Sequence, residues 1–359
     1  MATLNVALLG FGNVGRALIE LLRDKQYIIK QNYGFTIRVV GISTGRHGHA
    51  IDPNGIDART ATDAVRFGAS VEGLHRGAAI ATQEAFIAAC PADLVFESIP
   101  TNKDDGEPAI SYIKTLLARG IHVVTANKGP VVFAHRELTE MATNHGVGFF
   151  FESSVMDGAP IFSVAREGLP AAEIVRARGI FNSTTNYILT RMEADGLTFD
   201  EAVRAAQEIG IAETDPSLDV DGWDASIKTA ILANVLMDAH LRPSDVDREG
   251  IRAITPKNIK AAKSKGGRIK LVCEASRGED GSVRATVKPQ RVPLSDTLAG
   301  ISGTSSVVNL YTDVLPRLTI VENDPGTVTT AYGMLADMIN LQRGRQVLTR
   351  ENSDLSSTG

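Results

Sequence analysis

A six-residue run near the start of the chain, Gly10-Phe11-Gly12-Asn13-Val14-Gly15, restricts the possible folds more than any other stretch. It follows an apolar segment, Leu4 to Leu9, and leads directly into the helical pattern RALIELLRD. Strand, glycine turn and helix in that order form a dinucleotide-binding fingerprint, in which glycines permit the tight turn and backbone amides at the helix N-terminus receive a pyrophosphate. The alternative is a glycine turn that only packs a helix closely on a sheet. Gly10, Phe11, Gly12, Asn13, Val14 and Gly15 are therefore the first candidate cofactor contacts.

The segments that follow extend this reading to an α/β fold, a Rossmann-like parallel sheet. Thr36 to Ile42, Leu94 to Glu97, Ile121 to Thr125 and Val147 to Phe151 read as strands, and Thr82 to Cys90, Glu107 to Arg119 and Glu137 to His145 as the helices between them. Ligands bind beyond the carboxyl ends of such strands, which brings Ser98, Thr101 and Lys128 to the cofactor's edge. The second strand ends in Ser43-Thr44-Gly45-Arg46, with no acid to take a ribose hydroxyl. Ser43 and Arg46 suit a 2′-phosphate, so NADP is preferred over NAD, although Arg46 also reads as a solvated loop charge. Between Arg46 and Ala78 only a short helix at Asp63 to Phe67 is legible, and His47, His49 and His75 are taken as surface histidines.

Composition removes other classes. A net charge of -5 over 359 residues offers no electrostatic footprint for nucleic acid or an anionic membrane. No apolar run reaches membrane-spanning length, and the first ten residues read as a strand. Cys90 and Cys273 have no metal or redox spacing and are expected to be reduced core residues of a cytoplasmic protein. The length suits two or three domains.

In the second half, strand-like Glu173 to Phe181, Ile269 to Ala275, Val283 to Val287, Ser305 to Tyr311 and Leu318 to Val321 suggest a mostly antiparallel sheet in an α+β domain. The expected division is a nucleotide-binding part over 1–150, joined by a returning helix in 325–345, a catalytic part over 151–324, and a disordered tail at 346–359. Glu322 and Gly326, flanking the start of that last helix, are added to the cofactor contacts. The densest chemistry lies in AAQEIGIAETDPSLDVDGWDASIK, where Glu213, Asp215, Asp219, Asp221 and Asp224 precede Lys228. Pro216 and Gly222 break this stretch, so Asp224 and Lys228 fall at i and i+4 on the first turns of a helix, on one face. The helix continues as IKTAILANVLM, apolar all round, which places the pair at a buried mouth rather than on a free surface.

These motifs resemble the homoserine dehydrogenases, NAD(P)-linked enzymes that interconvert L-homoserine and L-aspartate 4-semialdehyde. The resemblance spans Leu4 to Arg343 and rests on GFGNVG, VVTANK ending at Lys128, GIFNSTTNYIL, and the acidic stretch with Ala206, Gly210, Asp215-Pro216, Asp219, Gly222, Asp224 and Lys228. It implies that Lys228 and Asp224 are the catalytic pair, that Glu213 and Asp219, with Asp224, bind substrate, and that Lys128 stands between cofactor and substrate. It further implies a homodimer, whose pairing would cover strand edges between Ala172 and Thr319. It also implies a sodium or potassium ion held by Glu152 and the carbonyls of Val155, Asp157 and Ala159. Ser183 and Met156-Asp157 depart from the family's usual glycines. A non-catalytic NAD(P)-binding redox sensor would not need the Asp224–Lys228 pair. A semialdehyde-oxidising enzyme would need an activated thiolate, and neither cysteine reads as one.

Overall fold

Residues 2–344 are described by the computed structural model, so the expected disordered tail lies outside them. In chain order the first part comprises β1 (Ala2–Leu9), α1 (Asn13–Tyr33), β2 (Phe35–Ser43), β3 (His49–Ile51), α2 (Ala58–Arg66), α3 (Gln83–Ala89), β4 (Leu94–Glu97), α4 (Ala109–Ala118), β5 (His122–Thr125), α5 (Lys128–Asn144) and β6 (Phe149–Phe150). Its strands form one sheet in the order β3-β2-β1-β4-β5-β6. All neighbours are parallel except the β2–β3 pair, and the order reverses between β1 and β4. That reversal opens the crevice in which doubly wound sheets bind ligands.

The remainder carries a short α6 (Ile161–Ser163), β7 (Ile174–Ile180), α7 (Ser183–Asp195), α8 (Phe199–Glu208), α9 (Ser217–Val220), α10 (Trp223–Met237), β8 (Asp247–Arg248), α11 (Pro256–Ser264), β9 (Gly267–Arg277), β10 (Val283–Pro293), β11 (Ser306–Thr312), β12 (Leu318–Glu322) and α12 (Thr327–Gln342). The second sheet runs β12-β11-β7-β9-β10-β8 and is antiparallel apart from β8 against β10. Helix α10 is buried along almost its whole length against this sheet, as its continuous apolar sequence requires.

Helix α12 returns to the first sheet, where Ala331, Met334, Leu335 and Met338 share a core with Leu18, Ile19 and Leu22 of α1. It also lies on the turn after β6. A Cβ built on Gly333 would stand 2.2 Å from the Ser153 hydroxyl and 2.6 Å from the Asp157 carbonyl, so a glycine is needed for that approach.

Several local expectations differ from what is observed, among them α5, which begins at Lys128 and not at Glu137 because the Asn127 side chain accepts from the Gly129 amide at 3.0 Å and caps it there. Helix α2 begins at Ala58, because the Asp57 side chain accepts from the Thr60 amide at 2.8 Å and caps it there. Strand β10 continues to Pro293, since its pairing with β9 runs unbroken from Val283↔Arg277 to Pro293↔Gly267. The acidic loop is not irregular throughout, for α9 occupies its middle.

Candidate active site

The glycines of the β1–α1 turn do different work. Gly10 has a φ of +102, and a Cβ there would meet the Ser98 carbonyl carbon at 2.6 Å. A Cβ on Gly15 would lie 2.5 Å from the Gly10 carbonyl oxygen, whereas nothing stands within 4 Å of that position on Gly12. Gly10 and Gly15 thus let backbone pack on backbone, and Gly12 leaves open space at the mouth of α1. That helix has no side-chain cap and no acid in its first turn, so its leading amides are available to an anion. Phe11 is buried in the core beside the turn, and Asn13 accepts from Arg16 at 2.7 Å. Val14 packs against the same core. These residues fit a dinucleotide.

The end of β2 is more restrictive than its sequence implies. Ser43 is fully buried and its hydroxyl bonds His49 Nδ1 at 2.9 Å, so it faces the interior and not a ligand. His49 is accordingly no surface histidine, and His75 is held by Ile51 and Ala78. Arg46 is exposed on the turn beyond.

At the C-terminal end of β4, Glu97 is fully buried and ties the crevice floor together. It accepts from the Thr125 hydroxyl at 2.5 Å, the Ile99 amide at 2.8 Å and the Asn127 amide group at 3.2 Å. Asn127 in turn caps α5 through the Gly129 amide, which fixes the start of the helix on which Lys128 stands. Ser98 donates to the Gly10 carbonyl at 3.3 Å, and Thr101 is half-buried in the loop that follows. Glu97 carried no functional signal in the sequence beyond being an acid inside an apolar strand.

The second half presents a cluster of charges to this crevice. Asp224 lies between two lysines, with Lys228 Nζ 3.2 Å from one oxygen and Lys128 Nζ 3.4 Å from the other. Asn182, the last residue before α7, donates to Asp224 at 3.0 Å and to Asp219 at 2.6 Å. Lys228 also donates to the Phe181 carbonyl at 2.8 Å. Burial works against the charge of Asp224, but Lys228, Lys128 and Asn182 outweigh it and hold the carboxyl well below the usual carboxylate range. Burial likewise opposes the Lys228 ammonium and is overcome by Asp224, Asp157 and Asp219, so its pKa rises. Asp219 goes the other way, raised by burial and then by the charge of Asp224.

The structure therefore brings Lys128, Asp219, Asp224 and Lys228 together, while Glu213 sits exposed on the loop. Asp215 and Asp221 are engaged elsewhere, by Ser217 and Arg252 respectively. Asn182 was legible only as part of a polar run after a strand. Glu322 contributes another carboxyl: one oxygen accepts from the Gly158 amide at 3.0 Å and the other is buried without a partner. Burial pushes it up to about 7, aided by Asp157 and opposed by the Gly158 bond and Lys228. Gly326 caps α12 with an extended backbone.

In the turn after β6, where the resemblance implies a cation, some of the expected ligands are engaged by protein donors. Glu152 turns its carboxylate onto the start of α6, accepting from the Phe162 amide at 2.6 Å, the Ser163 amide at 2.8 Å and the Ser163 hydroxyl at 2.5 Å. Ala159 accepts from the Ile161 amide at 2.9 Å, and the Asp157 side chain accepts from Thr330 at 2.7 Å. No protein donor reaches the Val155 and Asp157 carbonyls among the described residues.

An open glycine cradle facing a lysine–carboxylate cluster defines an NAD(P)-dependent oxidoreductase for a small polar substrate. A family model described as homoserine dehydrogenase matches residues 160–339. An NAD(+)-dependent homoserine dehydrogenase from Pseudomonas canavaninivorans is 38% identical over 96% of this chain and 97% of its own length, and a homoserine dehydrogenase from Methanocaldococcus jannaschii is 37% identical over 94% and 98%. The crystal structure of a putative homoserine dehydrogenase from Archaeoglobus fulgidus superposes with a TM-score of 0.84 at 31% identity, covering 94% of this chain and 99% of that one. The chain belongs to the homoserine dehydrogenase family, oxidoreductases of amino-acid biosynthesis.

Glu97 gives the site a measurable pH signature. Its carboxyl is raised to about 7 by burial against the opposing bonds from Thr125, Ile99 and Asn127. A raised acid binds its proton more tightly when folded, so its contribution is full below the unfolded value near 4.5 and is lost as pH climbs toward 7. Glu97→Gln should flatten that part of the stability profile, by up to about 3 kcal/mol, in urea melts between those limits. An unchanged slope would show that Glu97 does not titrate there.

Proposed function

We propose that Lys228 is the proton-transfer residue for the interconversion of L-homoserine and L-aspartate 4-semialdehyde, with Asp224 holding it in place. The observation that carries this is the half-buried Lys128–Asp224–Lys228 cluster facing the glycine cradle. Nicotinamide, when bound, supplies or accepts the hydride. As the aldehyde is reduced, the Lys228 ammonium protonates the developing alkoxide, and in oxidation the neutral amine takes the hydroxyl proton. The raised pKa of Lys228 keeps it a donor at neutral pH and moves oxidation to alkaline conditions. Asp219 and Glu213 are assigned to the amino-acid end of the substrate, as is Asp224. Lys128 takes the place between substrate and coenzyme, and Glu322 and Gly326 lie at the coenzyme's edge with Ser98 and Thr101.

For domains, we assign 1–150 with 325–345 to the coenzyme and 151–324 to catalysis and assembly, in a cytoplasmic homodimer. The exposed Val321 on edge strand β12, with Val314 and Leu315 in the turn before it, supports pairing at that edge. NADP is preferred over NAD on the strength of Arg46. The relative from P. canavaninivorans is named as NAD(+)-dependent, whereas a hyperthermophilic archaeal homoserine dehydrogenase of TM-score 0.81 and 28% identity was solved with NADPH. A sodium or potassium ion is assigned to the turn after β6, resting on the Val155 and Asp157 carbonyls, with Ala159 and Glu152 completing the surroundings.

Lys228→Ala should lower kcat for homoserine oxidation by about 10²- to 10⁴-fold while coenzyme affinity stays nearly constant. Wild-type turnover in that variant would remove the assignment. Replacing Arg46 with Ala should weaken NADP binding by about 1.5–3 kcal/mol and leave NAD unaffected, and equal losses for both would make Arg46 structural. Light scattering and melting in potassium, sodium and a bulky organic cation at equal ionic strength test the remainder. The expected result is a dimer throughout with a higher melting temperature in the small cations. A monomer would refute the dimer, and identical melting would retire the ion.

A further inference from the structure

The turn after β6 and the end of β12 bring two carboxyls to the crevice that the proton transfer itself does not use. Asp157 stands in that turn with a positive φ of 28, and its side chain accepts from the Thr330 hydroxyl of α12 at 2.7 Å. Glu322 closes β12, where one oxygen accepts from the Gly158 amide at 3.0 Å and the other is buried with no partner. A bare buried carboxyl oxygen is costly, and a positive charge or a donor relieves it. The turn is not free to swing toward one. A Cβ on Gly158 would stand 2.6 Å from the Thr329 carbonyl oxygen, and one on Gly333 would stand 2.6 Å from the Asp157 carbonyl oxygen, so turn and helix meet backbone to backbone.

Both carboxyls act on Lys228 or are acted on by it. Against the cost of burial, the Lys228 ammonium is favoured by Asp224 first and by Asp157 next. Glu322 is disfavoured as a carboxylate by burial and by Asp157, while the Gly158 bond and Lys228 favour its ionised form. The lysine therefore has a second acidic wall besides Asp224. Asp224 is already shared between Lys228 and Lys128 and takes a further bond from Asn182. Asp219 is pushed toward its neutral form by burial and by Asp224. Without the second wall, the cluster sets two ammonium groups against one carboxylate.

That balance bears on the coenzyme. Oxidised nicotinamide is a pyridinium cation and reduced nicotinamide is neutral, so an excess of positive charge beside the ring favours the reduced form. Hydride transfer needs the ring against the carbon whose oxygen Lys228 protonates, with reacting atoms about 3–3.5 Å apart. The ring is therefore subject to the charges that act on Lys228. Among the described residues, neither Asp157 nor Glu322 forms an ion pair of its own, which leaves both charges to act on whatever enters the crevice.

We propose that Asp157 and Glu322 set the site's preference between the two forms of the coenzyme: they offset the excess positive charge of Lys128 and Lys228 and so favour the pyridinium over the neutral ring. This rests on the active-site reading above, which puts the nicotinamide beside Lys228. Calorimetric titration of the full chain with the oxidised and the reduced form of one coenzyme tests it, at fixed potassium concentration in mildly alkaline buffer. The adenosine, the pyrophosphate and any 2′-phosphate are common to both forms, so their contributions cancel in the ratio of the two dissociation constants.

Asp157→Asn keeps the backbone carbonyl and a residue tolerant of a positive φ, and Glu322→Gln keeps an acceptor for the Gly158 amide. Each should raise Kd for the oxidised form about three- to tenfold and leave Kd for the reduced form within about twofold. Lys128→Gln, which removes a cation instead, should move the ratio the opposite way. An unchanged ratio in the carboxyl variants would overturn the proposal, as would a Lys128→Gln shift in the same direction as theirs. The two carboxyl variants are independent, so loss of fold in one leaves the other to decide. Binding needs no turnover: an unchanged ratio alongside an inactive Lys228→Ala refutes this inference alone, whereas a fully active Lys228→Ala refutes the active-site reading.

Discussion

The structure is arranged around one charge that could not be buried by itself. Asp224 is held between two ammonium groups and the Asn182 amide at the junction of the two halves, and each partner comes from a different element: Lys228 from its own helix, Lys128 from the first turn of α5, Asn182 from the N-cap of α7. An isolated buried carboxylate would take up a proton. With these partners it stays ionised, and in doing so it fixes where α5 and α10 meet. Removing one partner leaves an uncompensated charge, which is why such clusters are sensitive to single substitutions.

Support for the cluster runs outward through hydrogen bonds that look unrelated to it. Lys128 stands where it does because Asn127 caps α5, and Asn127 is itself held by Glu97 at the end of β4. The floor of the nucleotide crevice and the placement of a substrate-side lysine are thus one network. Glu97 is buried in that network as an acid with three donors, an arrangement that rigidifies the floor only while every member is satisfied.

Much of this was legible in the sequence because it depends on local patterns. The order of strand, glycine turn and helix set the first sheet, and the i, i+4 spacing of Asp224 and Lys228 placed both on one helix face. What stayed hidden depends on pairing across distance. Ser43 looked available to a phosphate, yet its hydroxyl meets His49 on β3, a strand too short to read. The extension of β10 past Val287 is decided by β9 opposite it, not by its own mixed sequence. Glu213 lies within the acidic run but on its exposed part, since chain proximity does not fix where a loop side chain points.

The return of α12 to the first sheet has a consequence for synthesis. The apolar side of α1, including Leu18, Ile19 and Leu22, packs on β1 and β2 and also on residues from Ala331 onward, so a growing chain leaves the part that α12 covers exposed until nearly the whole described length has left the ribosome. Domains of this kind usually fold as they emerge, N-terminal part first. Here the first half completes its core only with the last helix, and until then the face of α1 that α12 will cover is a natural site for chaperone capture or aggregation.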